Sequence, residues 1–146
     1  MTAVHIALGL AVVTVNLAAG VWGGWAWWQA REARGFWPLL RTGQALVAIQ
    51  AALGGALLLA GEDLPPLHLV YGLTPLVVAL LAEQLRLVAA QTELDHRELA
   101  GREAVAALPE AEQRALVRAI LRRETGVMAA SAIVVAFLGV RASEWL

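Results

Sequence analysis

The sequence predicts an all-α protein, a four-helix transmembrane bundle, and three observations carry that prediction. Hydrophobic residues make up 60% of the 146-residue chain and charged residues only 16%, where a soluble domain carries roughly 25% charged residues. Charge is missing from four long stretches: everything before Arg31, then 42–61, 64–82 and 125–140. A helix needs about 20 apolar residues to cross a bilayer core, so the expected spans are 3–28, 39–60, 66–90 and 125–143, the last one lengthened by Arg141 snorkelling to the surface. Backbone groups in lipid must be satisfied internally, and four spans are too few for a closed barrel.

The third observation is the placement of arginine. Arg31, Arg34 and Arg41 flank the first connection, and Arg86, Arg97, Arg102, Arg114, Arg118, Arg122 and Arg123 crowd the third. The second connection carries only Glu62 and Asp63. Basic connections stay on the cytoplasmic side, so the expected location is a bacterial plasma (inner) membrane with both termini outside. The first run is too long for a signal-peptide core and lacks a basic segment before it, so it is expected to stay as a span.

In chain order, the first span ends in Trp22, Trp25, Trp27 and Trp28, with Trp37 after the turn. Such rings belong where lipid head groups begin, so anchoring outweighs ligand stacking as their role. His5, Gly9, Val12, Asn16, Gly20 and Gly23 recur at steps of three and four and share one small, polar face. Close helix packing with Asn16 bonding across the bundle, or a flat ligand against the glycines, would each use it. Pro38 belongs near the start of the second helix, which puts Gly43, Val47, Gln50 and Gly54 on one stripe. The outer turn around Glu62 and Asp63 leads through Pro65 and Pro66 into the third helix, which Pro75 should bend. A cytoplasmic helical excursion is expected over about 91–123. There the third helix outruns the bilayer, breaks at Gly101 or at Leu108 and Pro109, and is followed by an amphipathic helix with Leu116, Val117, Ile120 and Leu121 on its apolar face. That helix would lie on the inner surface or fold back on the third, and glutamates interleaved with its arginines speak against nucleic acid. Trp145 is expected as the outer anchor of the last span.

Cysteine is absent, which removes disulfides and thiolate metal sites. His96 lies among charges and reads as solvated. His5 and His68 each fall early in a span that enters from outside, so both imidazoles should reach one level near the outer face. Two imidazoles on neighbouring helices could bind a haem iron from opposite sides, which favours electron transfer because no coordination position stays open. The plainer account is that each ring lies at a helix end and reaches water. No nucleophile with a base, no carboxylate pair within a span and no phosphate loop is present, so catalysis by the chain alone is not expected. Glu83, with Gln84 and Arg86, reads as a surface charge cluster.

Gln50, Leu53, Gly54 and Gly55, followed by an outer loop and by Leu67, His68 and Gly72, resemble one four-helix half of the haem A synthase family. More loosely, the pattern is similar to small four-helix cytochromes of the b561 type. The likeness covers roughly residues 3–82. It implies one haem b near the outer face, with His5 and His68 as metal ligands and Gly9, Gln50, Gly54 and Gly72 around the cofactor. The family's Glu-x-x-His-Arg motif is missing at His5 and there is no second half, which speaks against haem A synthesis. Electron transfer or haem handling is one expected role. A cofactor-free accessory subunit or assembly factor, docking other membrane or respiratory subunits or a second copy of the chain, is the other. A small transporter is a weaker third, since no charge lies inside a span.

Overall fold

The computed structural model describes residues 3–63 and 65–143, and they contain five helices: α1 (Ala3–Trp28), α2 (Phe36–Leu59), α3 (Pro66–His96), α4 (Gly101–Ala106) and α5 (Glu110–Ser143). The protein is all-α, and α1, α2, α3 and α5 are each long and apolar enough to cross a membrane. Trp145 lies outside the described residues.

Each boundary has a local cause. α1 runs over the expected residues, while α2 begins ahead of Pro38. A proline in the first turn removes only an amide that has no intrahelical partner there. Gly61, at φ +88, ends the α2 region, and Pro65 and Pro66 begin α3. α3 ends at His96 and Gly101, at φ +87, opens α4, while Leu108 and Pro109 separate α4 from α5. α5 differs from expectation. The amphipathic segment and the last span form one unbroken helix from Glu110 to Ser143, because neither proline nor a glycine pair interrupts it and Arg122, Arg123 and Glu124 all favour helix. Its first half folds back on the extension of α3. There the buried Glu93 carboxylate accepts from Arg97 Nε at 3.1 Å on its own helix and pairs with Arg123 Nε at 2.8 Å on α5.

α5 packs along both α1 and α3, α1 also packs on α2, and α2 touches α3 only sparsely. The core is built from small residues: Ala19, Ala82, Ala129 and Ala132 surround Phe36, Leu40 and Met128, and Val12, Val47 and Val135 form a second cluster. Without a hydrophobic drive between helices in lipid, such small residues allow the close backbone approach on which association depends. A Cβ on Gly20 would stand 2.5 Å from Ile133 Cγ1 and 3.0 Å from its backbone nitrogen, and one on Gly23 would enter the Phe36 ring. The space over Gly20 and Gly23 is therefore filled by neighbouring side chains, which leaves no room for a flat ligand against those two. Asn16 corrects another expectation. Its amide donates to the Val12 carbonyl of its own helix at 2.8 Å and packs on Gly43 of α2, where a Cβ would meet it at 2.8 Å. Large apolar side chains such as Leu10, Leu80, Val77 and Phe137 point outward, as faces turned to lipid do.

Candidate functional site

His5 is the third residue of α1 and His68 the third of α3. α1 and α3 flank α5 and run in the same direction, so equal depth along each brings the two rings together at one end of the bundle. Their centroids are 5.9 Å apart with planes tilted by 57°. His5 is 6% and His68 7% exposed, so both rings are enclosed among helices and do not reach outward.

Hydrogen bonds settle which nitrogens are available. His68 Nδ1 lies 3.0 Å from the Ala142 carbonyl of α5. A carbonyl only accepts, so Nδ1 carries the proton and Nε2 keeps its lone pair. Gln50 of α2 places its amide nitrogen 3.1 Å from the His5 carbonyl and 3.2 Å from His5 Nε2. The carbonyl contact fixes the amide orientation: the NH₂ group donates both bonds, and His5 Nε2 is an acceptor. His5 Nδ1 and Gln50 Oε1 are then left buried with no hydrogen-bond partner. Buried polar atoms are satisfied in the great majority of cases, and each orphan calls for an explanation.

The expected glycines divide. A Cβ on Gly54 would lie 3.6 Å from His5 Cε1, and one on Gly9 would lie 3.4 Å from Gln50 Nε2, both ordinary contact distances. Those two positions border the imidazole–amide cluster. A Cβ on Gly72 would meet nothing within 4 Å, and the same is true of Gly55.

Sequence reasoning missed two members of this end. The Ala142 carbonyl orients His68, and no sequence signal marks a backbone acceptor 74 positions away. Arg141 stands over the Tyr71 ring at 5.8 Å. The spacing of Tyr71, one helical turn beyond His68, was a legible hint. Among the described residues no group of three or more His, Cys, Asp or Glu side chains converges to hold a metal ion.

At the opposite end the polar groups are matched to one another. Glu83 accepts from Arg41 Nη1 at 2.5 Å and from Gln44 Nε2 at 2.9 Å, and pairs with Arg86 at 3.3 Å. What reads in sequence as a surface cluster is a clamp between α2 and α3. Arg86 Nε is buried without a hydrogen bond, but its guanidinium lies 5.7 Å over the Trp37 ring, a favourable placement for a cation. No family model, curated protein or solved structure matches this chain.

Proposed function

We propose that this chain is a small integral membrane cytochrome in which His5 and His68 would hold the iron of one haem b at the histidine end, with electron transfer or haem handling as its role. The paired imidazoles carry this reading. Two metal–nitrogen bonds of about 2 Å plus half of each ring bring the centroids of a shared ligand pair to roughly 6 Å, close to the 5.9 Å separation found here.

The donor chemistry also favours a macrocycle over a bare ion. Two imidazoles fall short of the four ligands of a closed zinc site, whereas a porphyrin brings four nitrogens of its own. His68 is held by the Ala142 carbonyl as ligating histidines commonly are, through the nitrogen away from the metal. Loading at His5 Nε2 requires the Gln50 amide to turn off that nitrogen, and its bond to the His5 carbonyl can stay. When bound, the group would supply one-electron chemistry, and this chain's side chains would hold it and keep water from it. The arginine distribution supports an extracytoplasmic position for the site.

The test is the absorption spectrum of protein expressed with haem supplied and purified in detergent. A Soret band that disappears in His68→Ala and in His5→Ala is the expected result. A colourless protein, or a band indifferent to both substitutions, favours the cofactor-free accessory role.

A further inference from the structure

At the end remote from the histidines, a half-open cavity of about 550 Å³ lies between the α1–α2 connection and α5. Arg31, Arg34, Arg118 and Arg122 line it, against Glu32 as the single acidic residue. Arg34 and Glu32 pair with each other at 3.3 Å. Arg122 is anchored on Trp27, donating from Nε to its carbonyl at 3.3 Å with the guanidinium 6.0 Å over the ring. The side chains of Arg31 and Arg118 have neither an acidic nor a hydrogen-bonding partner among the described residues. A concave site with two uncommitted guanidiniums and a third held in place by an aromatic ring is built to receive an anion.

We propose that this cavity binds the phosphate of an anionic lipid head group. Phosphate suits guanidinium donors, which can engage it in pairs. The remaining walls separate a lipid from a free phosphate as the occupant. Trp27, Trp37 and Leu121 are among the other lining residues, and the exposed Trp22, Trp25 and Trp28 lie toward the same end of the bundle. Aromatic belts mark the head-group level of a bilayer, so the cavity opens where lipid phosphates lie, with apolar surface for the glycerol backbone. Basic pockets between helices on the cytoplasmic side are suited to such head groups. This inference rests on the membrane placement proposed above and is independent of haem.

Native mass spectrometry of the full chain in detergent tests it, with phosphatidylglycerol and phosphatidylcholine of identical acyl chains added together. The expected result is selective retention of phosphatidylglycerol. Removal of an arginine should weaken it about 5-fold, and the Arg31→Gln/Arg118→Gln pair roughly 30-fold. Arg102→Gln, on α4 and outside the cavity, should leave retention unchanged, and circular dichroism should show the same helicity for all variants. Equal retention of the two lipids, or no loss in the paired variant, overturns the proposal. Displacement of the lipid by millimolar inorganic phosphate overturns it in favour of a free anion. Release of the protein from membranes by alkaline carbonate would remove the membrane placement itself, and the lipid site with it.

Discussion

The two ends of this bundle use polar residues in opposite ways. At the arginine end Glu83 collects three partners, and Glu93 joins α3 to α5 through Arg97 and Arg123. Those groups pair with one another and tie helices together, leaving a single buried orphan there among the described residues, Arg86 Nε, whose guanidinium is set over the Trp37 ring. At the histidine end two imidazoles, an amide and a backbone carbonyl converge, and two of their buried atoms still lack partners. A buried polar group left unpaired costs about 1–3 kcal/mol, so this end holds a cost that folding alone does not explain. Individual glycines also differ in what surrounds them. Gly20 and Gly23 lie hard against α5 and Phe36, whereas Gly55 and Gly72 border open space.

Four substitutions probe that contrast, each followed by unfolding in detergent micelles with the helical signal as readout. Gly23→Leu should have the largest effect, at or above the upper end of the roughly 1–3 kcal/mol that overpacking costs, because even a Cβ would enter the Phe36 ring. Glu93→Ala comes next, at about 2 kcal/mol, since it removes a buried carboxylate that pairs with Arg97 on its own helix and Arg123 on α5. Gly72→Ala should stabilise by up to about 1 kcal/mol through helix propensity alone. If it instead destabilises as Gly23→Leu does, the histidine end is as tightly packed as the rest and the contrast is lost. Glu110→Gln should change stability least, by no more than about 0.5 kcal/mol, because its pair with Arg114 is exposed. A large loss there would show that exposed pairs hold the arginine end together.

Much of the architecture was legible in sequence because long apolar helices follow from length and polarity alone. The charge-free runs place the apolar parts of the four long helices, and Gly61, Gly101 and the prolines mark the turns. The steps of three and four in α1 identified its buried face, where His5, Val12, Asn16, Gly20 and Gly23 are all enclosed. The continuity of α5 was not legible. A change from amphipathic to apolar pattern marks a change of surroundings, and it need not break the backbone. At the site, helix direction brought His5 and His68 to one level before any coordinates. The cross-helix partners of Asn16, His68 and Glu83 depend on rotation about helix axes to within a fraction of a turn, which spacing does not encode. Asn16 turned to its own helix, and His68 found a carbonyl from the far end of the chain.

The central claim is that His5 and His68 act on one metal from opposite sides. Low-temperature electron paramagnetic resonance of the haem-loaded, oxidised protein tests it most directly. A low-spin ferric signal with two imidazole ligands, converted to high spin or lost when either histidine becomes alanine, is the predicted result. A high-spin signal in the unaltered protein, or failure to retain haem at all, would contradict it.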